Sequence, residues 1–168
     1  DKRITKIGNL IRKLKIDEIL QLINIVNNTM SLVGPRPNTK KWGVDLYSDL
    51  ERSLLKVKPG ITDISSIVFS DEGYILKNSL NPDLDYNQLI RPWKSALSIW
   101  YLSNASLKID ILICFCTFLS IFNKKLSLRI LSKEIKDRGG DIELVQVTKR
   151  AFNLYPKCPP GLNKIEDG

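Results

Sequence analysis

The feature that most constrains the fold is a strongly apolar segment from Ile109 to Phe122, in which Asp110 is the single charged residue. Apolar side chains surround the whole circumference of a helix built from it, so protein or lipid must cover most of that helix. The run is shorter than the roughly 20 apolar residues that a bilayer crossing needs. The segment therefore predicts a buried or interfacial helix rather than a spanning one, with Asp110 as its N-terminal cap.

Positive charge follows this segment and also dominates the start of the chain. The net charge is +8, and residues 61–90 form an acidic middle between two basic regions. Basic residues beside apolar helices favour an anionic membrane surface or a phosphorylated small molecule, and no RNA-binding or zinc-finger pattern points to nucleic acid. The cations after the apolar segment fit either a solvated face or contact with anionic headgroups; they are Lys124, Lys125, Arg129, Lys133 and Lys136.

The residue types present exclude several kinds of active site. The chain has no histidine, which excludes Ser-His-Asp and Cys-His catalysis and zinc sites with His ligands. Its three cysteines are an odd number without framework spacing, as expected for a reducing compartment rather than a disulfide-stabilised secreted domain. With 43% apolar residues, the 168-residue chain is large enough for one domain with a real core.

Periodicity predicts a mainly helical α+β domain with amphipathic interfacial helices and a short strand or hairpin. We expect this domain to occupy residues 1–138, to close at Gly139-Gly140, and to leave residues 139–168 as an unassigned tail. The predicted helices are Ile4–Leu14, Ile16–Val26, 38–56, 93–102 and the apolar segment; Ile61–Phe69 is predicted to be extended, a turn is expected at Asn81-Pro82-Asp83, and Ile142–Val147 is a possible strand.

Five motifs occur in a fixed order and carry a family resemblance. They are Arg3–Gly8, Ile16–Leu22, Met30–Pro37, Lys58–Thr62 and the stretch from Trp100-Tyr101 to Asp110. Over residues 2 to about 125 the chain resembles the bacterial sugar transferase family, the monotopic phosphoglycosyl transferases that start polysaccharide and glycoconjugate assembly. The string from Ser31 to Pro37 is its most specific part. The resemblance implies transfer of a sugar 1-phosphate from a nucleotide diphosphate sugar to a polyprenol phosphate, at the cytoplasmic face of the bacterial inner membrane.

The adjacent acids Asp17 and Glu18 match the catalytic pair of that family. The resemblance implies that Asp17 attacks the sugar-bearing phosphate to form a covalent intermediate and that Glu18 helps to hold Mg²⁺. Taken alone, two acids in a first helical turn only complement the helix dipole.

The resemblance assigns substrate-phosphate binding to Arg36, Lys58 and Thr62. Arg36 stands between two prolines, so its guanidinium fork is either aimed at phosphate oxygens or simply exposed at the surface. Lys58 and Thr62 flank a Pro-Gly turn of a kind that is also common in loops without function.

Three departures from the family pattern stand beside these assignments. The membrane-inserting segment usual in the family does not precede Asp1, so the chain is expected to be a piece of something longer. Leu20 replaces a proline, and Ser70 stands where many members carry an arginine. The alternative function is therefore a membrane-surface module without catalysis.

Overall fold

A computed structural model describes Gly8 and residues 21–36 and 44–165. The predicted helix at Ile4–Leu14, the pair Asp17 and Glu18, and Leu20 lie outside the described residues. The elements in chain order are α1 (Leu22–Val26), β1 (Ser31–Val33), a 3₁₀ turn (Val44–Leu46), α2 (Asp49–Arg52), a second 3₁₀ turn (Ser53–Lys56), β2 (Gly60–Thr62), α3 (Ile64–Val68), α4 (Glu72–Ile75), α5 (Pro82–Asp85), a π-helix (Tyr86–Ile90), α6 (Arg91–Asn104), α7 (Leu107–Asp137) and α8 (Ile142–Lys149).

The described sheet consists of two short strands. β1 and β2 pair in parallel, with Ser31 opposite Gly60 and Val33 opposite Thr62, so they do not form a hairpin. The prediction of a mainly helical α+β fold with a short strand is confirmed. Parallel pairing brings the ends of β1 and β2 to the same edge, which places the loop after Val33 beside the start of α3.

The expectation of an extended segment from Ile61 to Phe69 is wrong beyond Thr62. Asp63 accepts a hydrogen bond from the Ser66 N–H at 2.8 Å, and Ser66 in turn contacts the Asp63 backbone, which completes a capping box. This cap begins α3. The β-branched residues Ile64, Ile67 and Val68 therefore pack into the core from a helix. The turn expected at Asn81-Pro82-Asp83 is also the start of a helix, because Asn81 caps α5 and Pro82 occupies its first turn.

The core forms where α6 and the first half of α7 meet α3 and α8. Its largest fully buried apolar side chains include Trp93, Leu97, Ile67, Ile113 and Ile135. One ion pair lies inside this region, between Glu51 of α2 and Arg91 of α6, with both side chains 0% exposed. This ion pair links α2 to the N-terminus of α6.

Helix α7 is interrupted at Asn123, whose backbone is not helical (φ −144°, ψ 81°). The Asn123 side chain accepts a hydrogen bond from the Leu126 N–H at 3.0 Å and so caps the second half. Ser127 Oγ donates to the Cys116 carbonyl at 2.9 Å, although eleven residues span about 16 Å in a straight helix. The first limb (residues 107–122) and the second limb (124–137) therefore fold back against each other.

By length and composition α7 could cross a membrane, with a mean hydropathy of 1.6 over its most apolar window. The break limits each limb to less than the membrane thickness, because the sixteen residues of the first limb span only about 24 Å, against a hydrocarbon core of roughly 30 Å. The limbs fit an interfacial position, as the sequence predicts.

The two limbs present different exposed surfaces. The first limb carries an exposed apolar face with one residue in each turn: Leu107, Ile111, Phe115, Phe118 and Phe122. The exposed cations of the second limb form a basic face: Lys125, Arg129, Lys133 and Lys136. The opposite side of each limb is buried in the core. An apolar face followed by a basic face fits a membrane-associated domain.

The residues after Gly140 continue the same core. Gly139 has a positive φ of 72° and ends α7, and α8 then packs along the second limb with Leu144, Val145 and Val147 buried. The strand predicted at Ile142–Val147 is wrong, because Asp141 caps a helix by accepting from the Glu143 N–H. Beyond α8, Phe152 and Tyr155 pack on the Trp93 ring at centroid distances of 5.9 and 5.8 Å. This segment, to which the sequence alone assigns no role, therefore covers the buried tryptophan of α6.

Candidate active site

The loop after β1 is held against the start of β2 by two glycines. The Gly34 N–H donates to the Thr62 carbonyl and the Gly60 N–H donates to the Pro35 carbonyl, both at 3.1 Å. A Cβ on Gly60 would lie 2.7 Å from Gly34 Cα and closer still to other Gly34 backbone atoms. Only glycine permits this approach. The loop 34–36 is non-helical, as predicted, and its position depends on Gly60.

We expect Gly60→Ala to lower the free energy of unfolding by about 1–3 kcal/mol, because its methyl group would push the backbone of Gly34 away. Urea denaturation measures the change. Gly73→Ala is the matched control, since a Cβ there meets nothing within 4 Å and alanine favours a helix. Equal stability of the two variants would show that the contact between the glycines is not a constraint.

An open groove of about 330 Å³ lies between this loop and the α6–α7 junction. Its lining is mainly apolar and comprises Ser31, Val33, Gly34, Pro35, Val57, Lys58, Tyr101, Leu102 and Ala105. Three of the predicted family motifs thus meet at one place, although they are separated along the chain. The groove is therefore the candidate binding region among the described residues.

Two of the sequence-predicted phosphate ligands are close to this groove. Lys58 lines it, is exposed, and hydrogen-bonds through Nζ to Asn28 Oδ1 at the end of α1. Arg36 is exposed and follows Pro35 of the lining directly. An ammonium group has three N–H donors, so one that is bonded to a single amide oxygen still has donors for an anion.

Thr62 occupies a different environment from Lys58. Its side chain is 4% exposed, and its Oγ1 lies 2.6 Å from Thr117 Oγ1 on α7. Thr117 donates to the Ile113 carbonyl, so Thr62 is the donor in this pair. The hydroxyl of Thr62 thus links β2 to α7, while its carbonyl supports Gly34.

Tyr101 and Asp110 form a pair at the inner wall of the groove. The Tyr101 hydroxyl donates to Asp110 Oδ1 at 2.7 Å. Burial, together with this bond and the charge of Asp110, raises the pKa of the Tyr101 phenol above its usual value. The phenol therefore stays a donor and is not a base at neutral pH.

Asp110 does not have the cap role that we predicted, because Ser106 occupies the N-cap position of α7. One sequence motif contains both Tyr101 and Asp110, but the motif does not indicate that they form a pair. Nine residues separate them across a helix junction, and only the packing of α6 on α7 brings them together.

Cations also surround the place where Ser70 replaces the usual arginine. Asp71 forms ion pairs with Lys124 at 3.0 Å and with Arg150 at 3.5 Å. The guanidinium of Arg150 lies 5.5 Å from the centroid of the Phe69 ring. Positive charge at this end of α3 thus comes from α7 and from the end of α8, which no local sequence pattern indicates.

The cysteines are poor nucleophile candidates. All three are free thiols, and burial raises the pKa of Cys114 and of Cys116. Across residues 21–36 and 44–165, no group of three acidic, cysteine or histidine side chains could hold a metal ion. The predicted nucleophile and metal ligand, Asp17 and Glu18, lie outside the described part of the chain and remain predictions.

Comparison with known proteins decides the family. A model of the family described as bacterial sugar transferase matches residues 1–124. The chain belongs to the bacterial sugar transferase family. The matched range contains Asp17, Glu18, Arg36, Lys58 and Thr62, and ends just after the break in α7. The second limb and α8 lie beyond it.

Several proteins whose names describe sugar transferases or sugar phosphotransferases are similar to this chain. The uncharacterized sugar transferase EpsL of Bacillus subtilis is 37% identical over 109 residues, 65% of this chain and 46% of its own length. The UDP-glucose:undecaprenyl-phosphate glucose-1-phosphate transferase of Escherichia coli is 34% identical over 131 residues, 74% of this chain and 25% of its own length. An undecaprenyl-phosphate N-acetylgalactosaminephosphotransferase of Aeromonas hydrophila is 32% identical over 72% of this chain and 26% of its own length. The chain thus spans less than half the length of these relatives.

Proposed function

We propose that this chain is the catalytic region of a phosphoglycosyl transferase. It moves a sugar 1-phosphate from a nucleotide diphosphate sugar to a polyprenol phosphate, the first step in assembling a polysaccharide or glycoconjugate. The observation that carries the proposal is the Gly34–Arg36 loop, which a glycine contact holds beside Lys58 at the groove. The names of two relatives, which contain undecaprenyl phosphate as acceptor, support it.

The proposed reaction has two steps. An Asp17 carboxylate oxygen bonds to the sugar-bearing phosphorus, and the bond from that phosphorus to the bridging oxygen breaks, which releases nucleoside monophosphate. An oxygen of the polyprenol phosphate then attacks the same phosphorus and frees Asp17. Lys58 and Arg36 bind phosphate oxygens and offset the negative charge of the approaching groups.

Mg²⁺ is proposed to be held by Glu18 together with substrate phosphates, where it would neutralise diphosphate charge. A hard dication bound by few carboxylates and several phosphate oxygens is typical of phosphoryl transfer sites.

The test of the proposed function is release of nucleoside monophosphate from nucleotide sugars by the natural full-length protein in membranes. We expect release that requires Mg²⁺ and stops when EDTA removes it. A protein that binds membranes but releases no nucleotide from any sugar donor would support the alternative, a surface module without catalysis.

The proposed location is the cytoplasmic face of the bacterial inner membrane. The apolar face of the first limb enters the boundary between headgroups and acyl chains, and the basic face of the second limb contacts anionic headgroups. A polyprenol phosphate acceptor lies in the same membrane.

We expect the protein to sediment with anionic vesicles more than with neutral ones, and salt to weaken the binding. Reversing two charges of the basic face, Lys125→Glu with Lys133→Glu, should remove most of this preference. Lys77→Glu is the control for a single charge reversal, because Lys77 is exposed in the turn after α4 and is not part of the basic face. Equal binding to both vesicle types at all salt concentrations would contradict the role of the basic face.

A further inference from the structure

We propose that the groove between the Gly34 loop and the α6–α7 junction holds the phosphate end and first isoprene units of the lipid acceptor. The inference rests on the proposed function and assigns the acceptor to one place in the fold. Two observations carry it, the composition of the lining and the surface onto which the groove opens.

The lining suits a hydrocarbon chain with an anionic head. Five of its nine lining residues are apolar: Val33, Pro35, Val57, Leu102 and Ala105. Lys58 provides an exposed positive charge at the groove, and Arg36 follows Pro35. Apolar walls with charge at one end match a prenyl phosphate, because the methyl-branched chain gains from burial while the phosphate pairs with the cation.

The same lining suits the other substrate poorly. A nucleotide sugar carries many hydroxyl and amide groups, and each needs a partner when it leaves water. The hydrogen-bonding side chains of the lining are Ser31, Lys58 and Tyr101, and the Tyr101 hydroxyl already donates to Asp110. The groove would therefore leave most polar groups of a sugar or base unsatisfied.

The groove also adjoins the apolar face of α7. Ala105 of the lining is two residues before Leu107, which is 75% exposed and begins that face. On the opposite wall, Leu32 lies between two lining residues and is 49% exposed. A lipid in the membrane could enter the groove without exposing its chain to water, which is the energetic requirement for an acceptor that never leaves the bilayer.

The test fills the groove and measures the two half-reactions separately. Ala105 is exposed at the end of α6, so Ala105→Trp adds bulk to the groove without disturbing the core. Ala151→Trp is the matched control, because Ala151 is exposed after α8. The donor half-reaction is the burst of nucleoside monophosphate without acceptor; the acceptor half-reaction is transfer of labelled sugar phosphate to polyprenol phosphate in vesicles.

We expect Ala105→Trp to keep the burst and to raise the KM for polyprenol phosphate at least about tenfold, since excluding two methylene groups from an apolar site already changes affinity by that factor. Val57→Trp, on another wall of the groove, should also keep the burst and raise this KM. The thermal unfolding midpoints of Ala105→Trp and Val57→Trp should both match that of Ala151→Trp. Normal transfer by both filled variants would overturn the inference. Loss of the burst in folded variants would assign the groove to the donor and would also overturn it.

A photoreactive farnesyl phosphate separates this inference from the proposed function, because labelling needs no turnover. We expect labelled peptides from residues 101–105 in the unmutated protein and not in Ala105→Trp. Labelling without any nucleotide release would support a lipid site while refuting the transferase. Nucleotide release with no labelling of these residues would keep the transferase and refute the site.

Discussion

Asp17→Asn is expected to abolish both turnover and the trapping of a labelled phosphosugar on the natural full-length protein. The amide keeps nearly the shape of the carboxylate but lacks the negative oxygen that attacks phosphorus. Because the covalent step disappears, no burst of nucleoside monophosphate should remain. Rapid quenching with a donor labelled in its sugar measures both quantities.

Glu18→Gln should give a defect of another kind. An amide oxygen is a poorer ligand for Mg²⁺ than a carboxylate, so activity should return in part at high Mg²⁺. Asp49→Asn is the matched control, since Asp49 is an exposed acid in the first turn of α2. It should change stability by only about 0.3–1 kcal/mol and leave labelling intact. Normal labelling by Asp17→Asn would reduce Asp17 to the same dipole role as Asp49.

The second large effect is expected at the buried ion pair. Glu51→Gln should lower the free energy of unfolding by about 3–5 kcal/mol, because it removes the buried carboxylate charge that pairs with the Arg91 guanidinium. The Glu51 carboxylate accepts from Arg91 Nη2 at 2.9 Å, from Ser95 Oγ at 2.6 Å and from the Ser48 N–H at 3.0 Å. All three interactions weaken together. Urea denaturation followed by circular dichroism measures the change.

Glu134→Gln serves as the control for Glu51→Gln. Glu134 pairs with Arg138 at 2.6 Å along α7, but both side chains are 32% exposed. Removing an exposed pair of this spacing changes stability by about 0.3–0.5 kcal/mol. Replacing both buried partners, Glu51→Met with Arg91→Met, should recover much of the loss because both charges of the pair are removed from the interior. Similar values for Glu51→Gln and Glu134→Gln would show that the buried pair is not a structural determinant.

The sequence predicted helices well where apolar residues recur at helical spacing over a long segment. The helix at 93–102, the non-helical loop after Gly34 and the helical conformation of the apolar segment are confirmed. Short runs of β-branched residues gave wrong predictions of extended structure at Ile64–Val68 and of a strand at Ile142–Val147. In both places an aspartate before the run caps a helix, and this local signal outweighs the strand preference of the side chains.

The sequence indicates candidate residues for the site but not their arrangement. Motif order indicated Arg36, Lys58 and Thr62, yet only the fold places Lys58 at a groove and Thr62 against α7. The partner of Asp110 and the ion pairs of Asp71 depend on contacts between elements. A single sequence does not predict such contacts, because they depend on how the helices pack against one another and not on residue spacing along the chain.

For the proposed position on a membrane, the break at Asn123 also bears on which side the end of the described chain lies. A hydropathy profile would place the two ends of residues 107–137 on opposite faces of a bilayer. The contacts of Phe152 and Tyr155 with Trp93 hold the segment after α8 against α6, in the same body as the groove. On the proposed membrane position, the described residues after α7 would therefore lie on the same side as the Gly34 loop, and a protease or label applied from that side would meet both.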